Sequence, residues 1–328
     1  ARSRDIDYND VYTYSYDYSS YSRSIDGYDA EGQLTSAIQY VTMEASELPV
    51  IYQVTGHGET ALSGTFTEAI EKANITLSEL TLLKEDAIPE DAAALIINGP
   101  VTDFSEDDAN KVIDYINQGG KVLITCNFQA EELANFDTIL SACGMSRISG
   151  VVMENDKSYY YGDTPYYLLP IVESASYTDS VANSYVFAPY SVGITYGEDT
   201  DDVTYTSLLD TTETAVSKTD AANATTSAME DGDIAGPFSV AAAYEKSTED
   251  DGNAKVVVFG STEMFTDGAD EVVSKNNSKL FTDTIIELTG DSDSATSVIP
   301  TKEYTLGAIT VDAAAGIMSG LCIMIVLP

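Results

Sequence analysis

Residues 48–74 read LPVIYQVTGHGETALSGTFTEAIEKAN and contain an apolar run, a glycine-rich turn and an amphipathic segment in that order. The apolar run Leu48 to Val54 predicts a short buried strand. The turn is Thr55 to Glu59, and in Thr60 to Ala73 apolar residues recur every three to four positions, which predicts a helix. Strand, turn and helix in this order are the repeating unit of an α/β sheet.

The same alternation recurs on both sides of this stretch. Ser105 followed by Asp108 has the spacing of a helix capping box. Further strands are predicted at Ala92 to Ile97, Lys121 to Thr125, Phe238 to Tyr244 and Lys255 to Phe259, and further helices at Gln33 to Thr42, from Ser105 to Gln118, at Leu133 to Leu140 and at Lys279 to Leu288. We therefore expect an α/β fold with a doubly wound, mostly parallel sheet.

The predicted organisation has four parts. The α/β domain carries a β-rich, acidic insertion, because turn residues and carboxylates interrupt the α/β pattern there and the pattern resumes afterwards. The parts are a Tyr-rich extended segment at 1–30, the α/β domain at 31–290 with its insertion at about 146–237, a linker at 291–305 and the start of a transmembrane helix at 306–328.

The charge balance excludes one class of partner. The 328 residues include 54 Asp and Glu against 15 Lys and Arg, a formal net charge of −39. Nucleic acids are bound by basic side chains that neutralise phosphates, so we expect no nucleic-acid partner. Three cysteines without a paired spacing predict neither a disulfide framework nor a zinc site.

The two ends of the chain suggest contacts outside the domain. Residues 313–328 contain no charged side chain. A buried terminal helix of a soluble domain would have a polar face, so the run favours the start of a transmembrane helix over a buried terminal helix. Tyrosines recur between Tyr8 and Tyr28, which predicts a surface strand. That strand either covers the domain or pairs with a second molecule.

Gly56, His57, Gly58 and Glu59 are the candidate ligand-binding residues. They follow the first strand of the sheet, at the edge where open α/β sheets bind ligands, and glycines let backbone N–H groups approach an anion. A structural turn, a ligand site and a general base at His57 beside Glu59 all remain open. Cys126 follows another strand, but without flanking glycines it is expected to be a buried, inert thiol.

No resident cofactor is expected, with Ca²⁺ as the one possible exception. The acidic stretches of the insertion carry closely spaced carboxylates, which are suitable ligands for this ion. The two stretches, 198–202 and 231–233, both lack the ligand spacing of an EF-hand loop, so a solvated acidic loop is the alternative interpretation. The candidate ligands are Asp199, Asp201, Asp202, Asp231 and Asp233.

Short glycine-containing and apolar segments follow one another in a fixed order along the chain. They are GQLTSAIQYVT (32–42), LPVIY (48–52), TGHGE (55–59), ALIINGP (94–100), DFS (103–105), YINQGGKVL (115–123), VVFGS (257–261) and the apolar tail. In this order they resemble the extracytoplasmic region of GldG-type auxiliary proteins of ABC transporters. The resemblance covers about residues 30–145 well, 238–328 moderately and the middle poorly.

The resemblance implies an amidotransferase-like or flavodoxin-like α/β domain without an established enzymatic activity. It implies a place at the cell surface, anchored in the membrane, with an ABC permease and its ATPase as partners. It carries over the turn Gly56 to Glu59 without a chemical role. A self-assembling surface protein that uses 8–28, and a hydrolase or sugar-binding site at Gly56 to Glu59, are the alternative functions.

Overall fold

The computed structural model describes residues 2–17, 22–43, 48–128, 132–247, 253–290, 299 and 301–304. The chain forms two compact units, the first from Ala1–Val41 with Ile299–Pro328 and the second from Thr42–Val298. The predicted membrane segment 306–328 lies outside the described residues. Within the described ranges no helix combines the length and apolarity needed to cross a bilayer.

Helices and strands alternate through much of the described chain. The helices are α1 (Tyr8–Val11), α2 (Ala30–Thr42), α3 (Gly64–Lys72), α4 (Glu106–Asn117), α5 (Ala134–Ala142), α6 (Asp267–Val272) and α7 (Asn276–Thr289). The strands are β1 (Tyr12–Asp17), β2 (Ser22–Tyr28), β3 (Val50–Thr55), β4 (Thr76–Thr81), β5 (Ala92–Asn98), β6 (Lys121–Thr125), β7 (Met145–Arg147), β8 (Val151–Met153), β9 (Tyr167–Leu168), β10 (Ile171–Val172), β11 (Ala188–Pro189), β12 (Ile194–Tyr196), β13 (Val203–Asp210), β14 (Val216–Lys218), β15 (Ile234–Ala235), β16 (Ser239–Ser247), β17 (Asn253–Phe259) and β18 (Lys302–Glu303).

The second unit is built on a mixed sheet with the order β10-β13-β16-β17-β6-β5-β3-β4. The strands from β17 to β4 are parallel, and β16, β13 and β10 extend the sheet antiparallel from β17. This confirms the predicted mixed α/β class and the largely parallel central sheet. The edge strand β4 was not predicted, because its sequence TLSELT has only two apolar residues.

Helices cover both faces of the parallel part. Ala94 and Ile96 of β5 pack in one core with α3 and α7, whereas Leu95 and Ile97 pack in a second core with α4 and α5. The side chains of a strand alternate between the two faces of a sheet, so this division places two helices on each face. The predicted helices are present, but α3 begins at Gly64, four residues later than expected.

The segment 146–237 is part of the core and not only a solvated insertion. It contributes β13 and β10 to the main sheet, and side chains such as Val152, Tyr177 and Leu208 are buried in the same core as α3 and α7. The sequence predicts β-type runs in this segment, but the turn residues and acidic clusters between them favoured a solvated insertion over strands of the main sheet.

The first unit contains a small sheet in the order β1-β2-β18 and the helix α2. The Tyr-rich segment is therefore a hairpin rather than one extended strap, with β1 at the edge of the described sheet. Helix α2 covers the predicted helix, but Leu34, Ile38 and Val41 on its apolar face are exposed.

Candidate functional site at the carboxyl edge of the sheet

The glycine-rich turn connects β3 to α3 and is held by the loop after β5. The carbonyl oxygen of His57 accepts hydrogen bonds from the backbone N–H groups of Val101 and Thr102, at 3.0 and 2.9 Å. Gly56 has φ of 125° and Gly58 has φ of 75°. Both values lie in the region that side chains other than glycine rarely adopt, so the backbone path requires these glycines.

Gly58 is also packed against its neighbour, since a Cβ placed there would lie 2.5 Å from Cγ2 of Val101. We expect Gly58→Ala to lower the free energy of unfolding by about 2–4 kcal/mol, from backbone strain plus this overlap. Gly162→Ala is the matched control, because Gly162 has φ of 64° and open space around it. Chemical denaturation measures both, and equal losses would show that the contact with Val101 contributes nothing.

His57 is buried between two carboxylates. Its Nδ1 lies 2.9 Å from Oε1 of Glu59 and its Nε2 lies 3.4 Å from Oδ2 of Asp108. The ring also stacks on Phe104, with centroids 3.8 Å apart and planes 8° apart. Both ring nitrogens are thus directed at internal acceptors, and the side chains of Glu59 and Asp108 are only 1% and 5% exposed.

The surroundings favour the protonated ring. Burial by itself lowers the pKa of His57, but the hydrogen bonds and negative charges of Glu59 and Asp108 outweigh it and raise the pKa above 6.5. An imidazolium donates from both nitrogens and has no lone pair to accept a proton. The pairing of both ring nitrogens with carboxylates favours a structural role for His57 over that of a general base.

Asp108 departs from the capping pattern predicted for α4. The N-terminal half is confirmed, because Ser105 Oγ accepts the backbone N–H of Asp108 at 3.0 Å. The carboxylate of Asp108 does not return to Ser105. It instead contacts His57 and Nζ of Lys111, which lies 3.3 Å from its Oδ1.

The turn does not lie at a helix N-terminus, where the sequence predicted that its backbone N–H groups could approach an anion. Residues 60–63 separate it from α3. The N–H of His57 is already bonded to Oε2 of Glu59 at 2.8 Å. Asp267 Oδ1 accepts from Ser63 Oγ at 2.7 Å and from the N–H of Thr65 at 3.2 Å, so it caps the start of α3.

A layer of polar side chains closes the ends of the central strands beside this turn. Thr125 Oγ1 donates to Oδ1 of Asn98 at 2.8 Å and lies 2.7 Å from Oγ1 of Thr262. Asn98 Nδ2 donates to the carbonyl oxygen of Thr60 at 2.7 Å. These hydrogen bonds join β5, β6 and the loop after β17, which fixes the floor of the carboxyl edge.

Cys126 confirms the expectation of a buried thiol. It is 1% exposed, and burial raises its pKa to about 12. Since the thiolate is the reactive form, burial disfavours a nucleophilic role for this cysteine near neutral pH. Burial also raises the pKa of Cys143 to about 12.

We expect the folded Cys322→Ser variant to react with a water-soluble aromatic disulfide at pH 8 at least about a hundredfold more slowly than the same chain in denaturant. The remaining cysteines are Cys126 and Cys143, both buried. The absorbance of the released thiolate measures the rate. One fast equivalent in the folded chain would contradict the buried, protonated state.

The carboxyl edge also bears an open cleft of about 370 Å³. Its lining combines aromatic, aliphatic and polar side chains, namely Val101, Asn127, Phe128, Val151, Tyr190 and Glu263. Tyr190 stacks on Tyr166, with ring centroids 5.0 Å apart. Neither His57 nor Glu59 lines this cleft. The glycine-rich turn and the cleft are therefore separate candidate sites.

The backbone of the Tyr190 loop is held in an unusual conformation. Tyr190 has φ of 54°, which is uncommon for a residue with a side chain. The buried Asn277 on α7 anchors the loop, because its Oδ1 accepts the N–H of Phe187 at 2.9 Å and its Nδ2 donates to the carbonyl oxygen of Phe187 at 2.7 Å. No local pattern in the sequence predicts this cleft, since its residues come from five separate loops and strand ends.

The predicted calcium ligands do not converge among the described residues, which include no group of three or more His, Cys, Asp or Glu side chains placed to hold a metal. Asp199 Oδ1 accepts the N–H of Tyr205 at 2.8 Å. Asp233 Oδ2 is 2.6 Å from Nζ of the buried Lys218, and this cation lowers the pKa of Asp233. The remaining three candidates, Asp201, Asp202 and Asp231, are exposed.

Comparison with known proteins identifies the fold and no family. No family model matches the chain, and no curated protein matches it. The N-terminal domain of mmIFT52 is similar over 74% of this chain and 98% of its own, with 16% identity and a TM-score of 0.53. PurLQS from Thermotoga maritima matches 74% of this chain and 99% of its own, with 13% identity and a TM-score of 0.40. A glutamine amidotransferase from the same organism matches 74% and 98%, with 10% identity and a TM-score of 0.41.

These likenesses are at the level of the fold. The chain is a mixed α/β protein with a largely parallel central sheet, an arrangement shared with the mmIFT52 domain. At the edge of the sheet where such folds hold ligands, it combines an internally paired histidine with a separate aromatic cleft.

Proposed function

We propose that this protein is a non-catalytic accessory domain of an ABC-type exporter. It is anchored in the cell membrane with its bulk outside the cytoplasm, and it binds transporter subunits or cargo. One observation carries the non-catalytic part: both nitrogens of His57 are directed at Glu59 and Asp108. The buried thiol of Cys126 supports the same reading. The accessible feature at the carboxyl edge is the cleft beside Tyr190, which we interpret as a binding surface.

The cleft beside Tyr190 is the proposed binding surface. Phe128 and Tyr190 are 37% and 44% exposed, and they line the cleft with Asn127 and Glu263. Exposed aromatic rings with a few polar groups are typical of surfaces that bind a partner. Asn277 fixes the Tyr190 loop before binding, which reduces the entropy lost when a complex forms.

The membrane anchor and the exporter partners are supported by sequence. The charge-free run that starts at Ala313 has the composition of a transmembrane helix. The motifs TGHGE at 55–59 and YINQGGKVL at 115–123 are among those that resemble GldG-type auxiliary proteins. An excess of 39 negative charges is compatible with a protein that faces an aqueous exterior.

Affinity purification of the tagged full chain from its native membrane, in mild detergent, tests this proposal. We expect an ABC permease and its ATPase to co-purify. The double variant Phe128→Ala/Tyr190→Ala is expected to lose them while remaining in the membrane fraction. Tyr185→Ala is the control, because Tyr185 is 63% exposed and does not line the cleft. Recovery of the wild-type chain alone would contradict the proposal.

Self-assembly through the Tyr-rich segment is the second candidate function, favoured by the position of β1. This strand pairs with β2 on one side and lies at the edge of the described three-stranded sheet. Edge strands can pair with a second chain. Removal of residues 1–28 is then expected to convert an oligomer to a monomer in analytical ultracentrifugation, and an unchanged mass would remove this candidate.

A further inference from the structure

Helix α2 presents an apolar stripe to its surroundings. Leu34, Ile38 and Val41 are spaced four and three residues apart, so they lie along one face of the helix. They are 55%, 53% and 43% exposed, while the small Ala37, which lies beside the stripe, and Ser36 are buried. The helix therefore buries small side chains and exposes large apolar ones.

This arrangement is the reverse of the surface helices in the second unit. On α4 the exposed positions include Glu106, Asp107 and Asp114, and the apolar Val112 and Ile116 are buried. Contiguous exposed apolar residues of this kind are typical of a surface that contacts a partner or a membrane.

The charge around the stripe is compatible with a lipid surface. Within α2 the only charged residue is Glu31, and it forms an ion pair with Lys302. The first unit carries four of the basic and nine of the acidic residues, a net charge of −5 out of −39. Burying the stripe therefore removes no uncompensated charge of α2 from water.

The chain also limits how far the stripe can lie from the membrane anchor. Lys302 of β18 pairs with Tyr28, and α2 begins two residues after Tyr28. Nine residues lie between Glu303 and Ala313, where the charge-free run starts, so that start lies at most about 35 Å from β18. The thirteen residues of α2 span only about 20 Å.

We propose that the stripe Leu34, Ile38 and Val41 lies against the bilayer into which residues 313–328 insert, with its side chains at the boundary between headgroups and acyl chains. This inference rests on the membrane anchor of the proposed function. Amphipathic helices bind membranes in this way, and the strength of binding increases with the apolar area buried. The stripe would orient the domain relative to the membrane, which an anchor alone does not do.

The absence of tryptophan from the chain allows a direct test. The full chain with Ile38→Trp is reconstituted into phosphatidylcholine vesicles with brominated acyl chains, which quench nearby tryptophan fluorescence. Val41→Trp is a second reporter on the stripe. Leu83→Trp is the control, because Leu83 is 82% exposed and lies beside Lys84 and Glu85 in the second unit.

We expect the fluorescence of Ile38→Trp and Val41→Trp to fall at least about twofold in brominated relative to ordinary vesicles, and that of Leu83→Trp to remain unchanged. Flotation of the vesicles reports the anchor separately. A chain that floats with unquenched stripe reporters would overturn the stripe proposal and leave the anchor intact. A chain that does not float would overturn both. Blue-shifted stripe reporters without vesicles would show that a second copy, or this chain itself, covers the stripe, which also overturns the proposal.

Discussion

Replacement of His57 by alanine is expected to lower the free energy of unfolding by about 3 kcal/mol near pH 6, because removal of one partner leaves buried charges uncompensated. Glu59 loses the imidazolium from its Oε1, and Asp108 keeps Lys111 as its cationic partner among the described residues. The stacking contact with Phe104 is lost as well. Urea denaturation followed by circular dichroism measures the difference.

The pH dependence of this loss distinguishes charge from packing. The pKa of His57 is raised in the folded chain above its unfolded value of 6.5. Its charge therefore stabilises the fold fully below pH 6.5, and this contribution is lost as the pH rises through the folded pKa. We expect the difference between wild type and His57→Ala to decrease over that range. A difference that is constant with pH would show that His57 contributes through packing alone.

Replacement of Glu154 by alanine is expected to have the largest effect on stability, a loss of about 3–5 kcal/mol. Glu154 is 1% exposed, and its carboxylate accepts five hydrogen bonds. The donors are the N–H groups of Asn155, Asp156 and Thr212 and the hydroxyls of Thr212 and Thr214. Without the carboxylate these donors lose their acceptor in a confined space, and the link between β8 and the loop before β14 is broken.

Two variants separate the hydrogen bonds from the charge. Glu154→Gln keeps one oxygen acceptor and places an amide group against the remaining donors, so we expect an intermediate loss. Glu213→Ala removes a nearby exposed carboxylate and is expected to change the unfolding free energy by less than about 0.5 kcal/mol. Thermal unfolding ranks the three variants, and equal stability of Glu154→Ala and Glu213→Ala would contradict the role assigned to the buried carboxylate.

The elements with strong periodic patterns were predictable from sequence. Strands β3, β5, β6 and β17 are apolar runs that end in turn residues, and α4 carries both a cap and a clear apolar face. The polar edge strand β4 and the short strands of 146–237 lack such patterns. For α2 the spacing of the apolar residues predicted the helix correctly. That spacing does not show which side of the helix is covered by the rest of the chain.

The candidate site was predictable only in part for a related reason. Paired glycines and a lone histidine drew attention to the turn at His57, and Glu59 is its local partner. The second partner, Asp108, is 51 residues away and was expected to cap its own helix. Asp103 likewise accepts the N–H groups of Asn135 and Phe136 across a long separation in sequence, where α5 has no cap of its own. Contacts of this kind depend on the topology of the sheet, so no local sequence pattern predicts them.

The protonation of His57 tests most directly whether the conspicuous turn is a structural ion pair. The chain contains one histidine, so its imidazole signals in a heteronuclear NMR titration need no assignment. We predict a titration midpoint above 6.5, with protons on both ring nitrogens below that midpoint. A midpoint at or below 6.5, with a neutral ring at pH 7, would leave a nitrogen free to accept a proton and would contradict the structural role.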